Sequence, residues 1–347
     1  STTFYDYDGG LYDAAAREFR GFAGVTETRP DGRFTVRAFH QTEALSGQLA
    51  SETVFDAEGR PWLGVDYGYV ADAAAPYVGL VTRVDRYEYD GQATPRLSRT
   101  EYRYDGGGAI VYGNPTAIIE WGEISGAATD AVPGDTRTTE LSYLTNGALH
   151  LVDRVQTRAI RTGGTPGAGT VVRESRFAYD GDASGAAPPT VGDLTRRIDV
   201  LASAATPDPT TTFGYDAYGN LTSVTDPLAN AGAGGGTTTT EYDATYHSFP
   251  TAMVNALGHR SEISYTTPAG CAVAHGAGEG LVGQQRGPND LVASTSWTRC
   301  YDVFGRIVSE AGPGGLSWTT WSHVDTPLAV STIEAGMSSA NAMRTQS

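Results

Sequence analysis

The sequence predicts an all-β fold of successive antiparallel hairpins with few or no helices, on three observations. The first is composition: the 347 residues include 44 Gly, 17 Pro and 19 Tyr, a mixture that breaks helices and favours pleated, half-buried surfaces. The second is periodicity. No long run carries apolar residues at i, i+3, i+4 and i+7, and the best helical candidate is the short Asp13–Phe19 segment. The third is a dipeptide. Nine of the 19 tyrosines are followed directly by Asp, where random placement gives about one, so the chain reads as a repeat.

The units built around that dipeptide follow one plan. Phe55-Asp56-Ala57-Glu58-Gly59-Arg60, Tyr215-Asp216-Ala217-Tyr218-Gly219-Asn220-Leu221 and Tyr301-Asp302-Val303-Phe304-Gly305-Arg306-Ile307 each read as strand, tight turn, strand. The aromatic (Phe55, Tyr215, Tyr301) closes a strand. The aspartate (Asp56, Asp216, Asp302) accepts hydrogen bonds from the turn backbone. Gly59, Gly219 and Gly305, four positions after the aromatic, supply the positive φ that other residues avoid. Before such units lie alternating runs, among them Arg83–Tyr89, Arg99–Tyr104, Val172–Tyr179 and Thr237–Tyr242. Charged or hydroxylated residues alternate there with aromatic or apolar ones, as on a strand with one wet and one packed face. Tyrosines 143, 179 and 215 are evenly spaced, but later intervals shorten, which suits hairpins with variable loops better than a strict solenoid.

Between the strands, Ser125–Asp135, Thr162–Gly169, Gly181–Pro189, Ala202–Pro209 and Ala229–Gly236 are rich in Gly, Ala, Pro and Ser and read as surface loops. The expected organisation is an amino-terminal block over 1–122, a repeat sheet over 123–333 and a flexible tail over 334–347. The missing initial Met and the immediate entry into patterned sequence point to a segment of a longer chain. No stretch reaches the ~20 apolar residues of a membrane-spanning helix, and Ser1 opens no recognisable signal peptide.

The formal charge is −16, from 24 basic and 40 acidic side chains, and every basic residue is Arg. So acidic a surface repels phosphate backbones, which argues against nucleic acid as a partner. Cys271 and Cys300 are too few for a disulfide framework or for a zinc site of their own. They either form one bridge in an oxidising compartment or stay ordinary thiols.

The Tyr215–Leu221 and Tyr301–Ile307 units resemble YD repeats of the RHS family, as does Thr225-Asp226-Pro227-Leu228-Ala229-Asn230. Tyr242–Thr251 followed by Asn255–His259 resembles repeats in large bacterial proteins of the toxin-complex B/SpvB type. The same group is suggested by Tyr7–Asp13 followed by Arg17–Val25, with Phe19, Gly21 and Phe22, and by Phe39-His40-Gln41. The resemblance covers most of residues 4–325. It implies a continuous spiralling antiparallel β-sheet forming part of a hollow shell, in a secreted or exported protein. It also implies a non-catalytic segment that scaffolds or encapsulates a toxic carboxy-terminal effector. The partners would be the remainder of its own shell and that toxin polypeptide. The D-P-x-G-rich core sequence that closes such shells has no copy near residue 347.

No cluster has catalytic spacing, no cofactor is implied, and the expectation is a protein that is not an enzyme. His40 reads as a packing residue, and His247 with His259 lacks a third metal ligand. Gly106–Gly108 and Gly234–Gly236 precede no Lys-Ser/Thr pair and read as loops. The alternative function is an extracellular adhesion or glycan-binding module, with Trp62, Trp121, Trp297, Trp318 and Trp321 stacking on sugars or, more simply, filling cross-strand positions.

Overall fold

The computed structural model describes residues 2–72, 77–106, 111–125, 129–132, 134–201, 206–315, 317–325 and 328–336. It is mostly strand. Contacts divide it into two units, Ser1–Gly192 with Ile198–Asp208, and Asp193–Arg197 with Pro209–Ser347. The first contains β1 (Phe4–Asp8), β2 (Tyr12–Asp13), β3 (Glu18–Phe19), β4 (Gly24–Thr28), β5 (Phe34–Phe39), β6 (Leu49–Phe55) and β7 (Pro61–Ala71). It continues through β8 (Gly79–Glu88), β9 (Arg96–Tyr104), β10 (Pro115–Ser125), β11 (Thr129–Asp130), β12 (Arg137–Asn146), β13 (Leu151–Thr162) and β14 (Val171–Tyr179). The strand β15 (Leu194–Val200) crosses the division.

The second unit contains β16 (Thr210–Tyr215), β17 (Leu221–Thr225), the one-turn helix α1 (Pro227–Asn230), β18 (Thr237–Tyr242), β19 (Pro250–Val254) and β20 (Arg260–Ser264). After these come β21 (Gln284–Arg286), the short helix α2 (Pro288–Ala293), β22 (Trp297–Tyr301), β23 (Ile307–Ala311), β24 (Ser317–Asp325) and β25 (Leu328–Gly336). The tail expected over 334–347 begins inside β25, and 337–347 lie outside the described residues.

Each unit is an antiparallel meander. In the first, β1 pairs with β4, pairing then runs from β4 to β10 through each successive strand, and β12, β13 and β14 follow. In the second, strands pair in chain order from β16 to β25. This order keeps sequence neighbours adjacent and needs only hairpin connections.

The closing aromatic of a strand recurrently sits beyond a register shift. Shifts fall between Ala38 and Phe39, Val54 and Phe55, Gly68 and Tyr69, Gly214 and Tyr215, Glu241 and Tyr242, and Cys300 and Tyr301. Such bulges bend the strand and re-aim its side chains. Six tyrosines at or near strand ends, Tyr69 and Tyr301 beyond such shifts among them, donate their hydroxyl to a backbone carbonyl in or beside a neighbouring strand. The pairs are Tyr69 to Leu49 (2.7 Å), Tyr104 to Val81 (2.7 Å), Tyr143 to Pro115 (2.8 Å), Tyr179 to Val155 (2.9 Å), Tyr265 to Pro250 (3.0 Å) and Tyr301 to Val282 (3.0 Å). The ring fills the space beneath the turn while its polar tip satisfies a strand-end carbonyl.

Full burial is sparse, and cross-strand pairs hold much of each sheet. Arg99 grips the nearly inaccessible Asp85 with two bonds of 2.6 and 2.8 Å. Arg37 bridges Glu27 at 3.1 Å and Glu52 at 2.6 Å across β4, β5 and β6. A guanidinium fork reaches two carboxylate oxygens at once, a geometry that an ammonium cannot reproduce.

The Asp13–Phe19 segment is not helical. Asp13 accepts the backbone N–H groups of Ala15 and Ala16 at 2.9 and 3.0 Å, and Arg17 takes φ 55°. That turn folds β2 back onto β3. The side-chain bonds to the turn backbone outweigh the helix propensity of three alanines.

Candidate functional site: the aromatic–aspartate turns

The turns at residues 56, 216 and 302 share one bonding scheme. Oδ1 of Asp56 accepts from the backbone of Glu58 (3.1 Å) and Arg60 (2.8 Å). Oδ1 of Asp216 accepts from Tyr218 (2.9 Å) and Asn220 (3.0 Å), and Oδ1 of Asp302 from Phe304 (2.9 Å) and Arg306 (3.0 Å). The second oxygen binds the side chain four residues on: Arg60 Nε at 2.7 Å, Asn220 Nδ2 at 2.9 Å and Arg306 Nε at 2.7 Å. In each turn the glycine N–H also donates back to the aspartate carbonyl, at 3.1–3.2 Å. The turn is closed by its own residues.

Gly59, Gly219 and Gly305 adopt φ of 78°, 82° and 75°. A Cβ at Gly59 or Gly219 would meet nothing within 4 Å, so the requirement for glycine there is conformational rather than steric. Gly219→Ala is expected to destabilise the second unit by about 1–2 kcal/mol, the cost of holding an L-residue in the left-handed region. Chemical denaturation of the variant against the unaltered protein measures it.

These carboxyls ionise below the usual aspartate range. For Asp56 the main cause is the Arg60 backbone N–H, and for Asp216 it is the Asn220 amide. For Asp302 burial opposes ionisation but is outweighed by the Arg306 backbone and guanidinium. Because the folded values are depressed, the stabilisation is present above the unfolded value of about 3.9 and is lost as pH falls through the folded value. A variant carrying Asp56→Asn, Asp216→Asn and Asp302→Asn is expected to flatten the fall in urea midpoint between neutral and strongly acidic pH. Asparagine can hold the turn. Oδ1 of Asn255 accepts from Leu257 (2.9 Å) and His259 (3.0 Å), with Gly258 at φ 81°.

The Asn255 turn falls in the Asn255–His259 segment that resembles a repeat in sequence, whereas a backbone copy in which Gly32 donates to Arg29 and Arg29 to Arg33 is a member that the aromatic–Asp pattern does not reveal. The signal available was the glycine three positions after the turn's first residue.

At the amino-terminal block, Phe19 and Phe22 meet edge-to-face with centroids 5.3 Å apart, and Phe22 lies 4.9 Å from Tyr7. Gly21 has φ 83° and accepts from Gln41 Nε2 at 2.9 Å, while the same nitrogen reaches Gly9 O at 2.7 Å. Gln41 thus ties two segments of the block to the end of β5. His40 is packed edge-on to Tyr69 at 5.3 Å. His247 stacks on Tyr218 at 3.9 Å, whereas His259 lies in the turn at the other end of β19, so the structure does not bring these two histidines together. Cys271, in the loop after β20, is joined to Cys300 of β22 by a disulfide with Cα atoms 5.3 Å apart.

The fold and its turns define an antiparallel protein of repeated hairpins. Residues 1–48 match a family model described as insecticide toxin TcdB middle/N-terminal region, and residues 191–231 match the RHS repeat. No curated protein matches the chain. Among solved structures, it is similar to TcdB2-TccC3-TEV (TM-score 0.60, 12% identity) and to TcdB2-TccC3 without the hypervariable C-terminal region (0.60, 13%). Each alignment covers 94% of this chain and 22% of the other. The Photorhabdus luminescens Tc holotoxin pore aligns at TM-score 0.58 and 12% identity, covering 92% and 21%. The chain therefore spans about a fifth of the length of these structures, and at such identity the likeness is one of fold. The family matches are confined to residues 1–48 and 191–231, and the similarity to the TcdB2-TccC3 structures over the rest of the chain is one of fold.

Proposed function

We propose that this chain is a non-catalytic wall segment of an RHS shell that scaffolds or encapsulates a toxic carboxy-terminal effector in an exported toxin complex. The observation that carries the reading is the meander itself: strands follow one another in hairpins, and those joining β6 to β7, β16 to β17 and β22 to β23 are closed by self-sufficient Asp–Gly turns, so strands can be added in series. Tyr215, Asp216, Gly219, Tyr301, Asp302, Gly305, Phe55, Asp56 and Gly59 act as turn-formers, and Phe19, Gly21 and Phe22 order the amino-terminal block. The family matches and the shared fold support it. The test is protease protection of the downstream effector in the full-length gene product. Protection that disappears when the shell is unfolded is expected, and an effector cleaved equally fast with or without the intact shell would overturn the reading.

A second reading, a glycan-binding module, draws on the exposure of Trp62, Trp297 and Trp318, at 46%, 37% and 46%. Register places Trp318 and Thr298 on one face through Ala311, and hence Trp297 on the other. These two indoles do not form a common platform. Binding on a glycan array that is lost with Trp318→Ala, with no effector association, would favour this reading.

A further inference from the structure

One recess in the second unit holds an arginine that has no acidic partner among the described residues. β20 and β21 pair with Glu262 opposite Arg286 and Ser264 opposite Gln284. Two-residue alternation therefore brings Arg260, Glu262, Ser264, Gln284 and Arg286 to one face. With Thr251 of β19 and the apolar Ile263 of β20 they line an open recess of about 280 Å³.

The charges in it are unequally satisfied. Arg260 is held by both oxygens of Glu241 at 2.6 and 2.8 Å and by Glu262 at 2.8 Å. Glu262, although directly across from Arg286, is thereby turned to the other arginine. The Nε–H of Arg286 is buried and has no acceptor among the described residues. Arg37, Arg99, Arg161 and Arg299, also on sheet strands, each have a carboxylate at 2.5–2.7 Å. A buried donor left without an acceptor carries the cost of its desolvation, and a ligand that supplies the acceptor removes that cost.

The chemistry of the lining narrows the ligand. A guanidinium presents a planar fork of donors matched to the two oxygens of a carboxylate. The Gln284 amide adds a neutral donor beside it, while the Thr251 hydroxyl donates to Glu241 O at 3.3 Å and the Ser264 hydroxyl is shared with Thr266 at 2.9 Å. The volume is below the usual range of sites for larger organic ligands, but it accommodates a side-chain carboxylate. In a molecule of net charge −16 long-range steering of an anion is unfavourable, so recognition depends on local contacts within a screening length of about 8 Å.

We propose that Arg286 and its recess bind a carboxylate, presented by an Asp or Glu side chain of a polypeptide lying across this face or by a small free acid. The site is independent of the shell reading, because either source of carboxylate would occupy it.

The test titrates acetyl-Gly-Glu-Gly-amide, its Gln counterpart and sodium acetate into the full chain at constant ionic strength, following the Arg286 Nε–H resonance. The Glu peptide is expected to shift that resonance saturably, and the Gln peptide is not. Arg286→Gln is expected to weaken binding about tenfold or more, equivalent to about 1.4 kcal/mol, while Arg103→Gln, at an exposed position, leaves it unchanged. Tighter binding of the peptide than of acetate assigns a polypeptide ligand, and equal binding assigns a free acid. Absence of a saturable shift with either carboxylate, or undiminished binding in Arg286→Gln, would overturn the proposal. Should Arg286→Gln fail to fold, the resonance of the unaltered protein decides alone.

Discussion

Ile119→Ala is expected to destabilise the first unit by about 2–5 kcal/mol, the range for removing a buried aliphatic side chain that its surroundings cannot replace. Ile119 is fully inaccessible, and it lies on β10 between Glu101 of β9 and Thr138 of β12. Thr138 is also fully buried, its hydroxyl donating to Gly163 O at 2.6 Å, so its position is held by a directional bond. Ala117, two residues away on the same strand face, is 3% exposed and brings no volume to spare. The neighbours therefore cannot collapse easily into a cavity. Among the described residues, Ile119 is with Thr138 and Pro189 one of the largest side chains that are fully buried. Val303→Ala, at a turn tip where Val303 is 75% exposed, is expected to change stability by no more than about 0.5 kcal/mol. Urea midpoints of the two variants, read with one probe per unit, make the comparison. Equal small effects at both positions would show that the interior of β10 is more yielding than its burial implies.

The part of this architecture that is legible in the sequence is the part whose determinants are local. An Asp, a Gly three positions after it and an aromatic before it specify side-chain bonds and a positive φ within one turn, and the turns at 56, 216 and 302 form from those residues alone. The tyrosine hydroxyls are a different case. Tyr143 reaches Pro115 O and Tyr265 reaches Pro250 O, and these acceptors are backbone atoms whose position follows from register and bulges. Asp13–Phe19 misleads because three alanines raise helix propensity, while the bonds that override it come from a single aspartate. The absence of Lys reads in sequence as a compositional bias. In the sheet, Arg37 and Arg99 use a fork that lysine lacks. Arg286 was invisible for the opposite reason: its distinction is that no partner stands beside its Nε among the described residues, and Glu262 across the strand is claimed by Arg260.

Loss of the Cys271–Cys300 bridge is expected to cost the second unit about 3.5 kcal/mol. The two cysteines are 29 residues apart in sequence, and closing a loop of that length removes chain entropy from the unfolded state by roughly this amount. Where the bridge sits makes it matter locally as well. Cys300 precedes Tyr301, whose ring is 7% exposed and whose hydroxyl donates to Val282 O at 3.0 Å. Cys271 lies in the long connection from β20 to β21, which contains one short 3-10 turn at Ala277–Glu279. That connection is otherwise fastened by the Gly283 N–H to Ser264 O (2.8 Å) and by Thr267, whose Oγ1 accepts from the His275 N–H at 2.6 Å and donates to His275 O at 2.9 Å. The end of the connection also accepts from the Arg299 N–H at Gly283 O (2.9 Å), and His275 packs edge-on to Tyr301 at 5.3 Å, so the bridge adds a covalent tie near residue 271 to a segment already resting on β22. Cys271→Ser with Cys300→Ser and the reduced unaltered protein should then unfold at the same, lower denaturant concentration. Both should also become cleavable between Thr266 and Val282 before the second unit unfolds. If reduction lowers stability by the full amount but leaves this connection resistant to protease, the bridge acts through the unfolded chain alone and the Thr267–His275 contacts suffice to order the connection. If reduction changes neither, the bond contributes nothing to the fold.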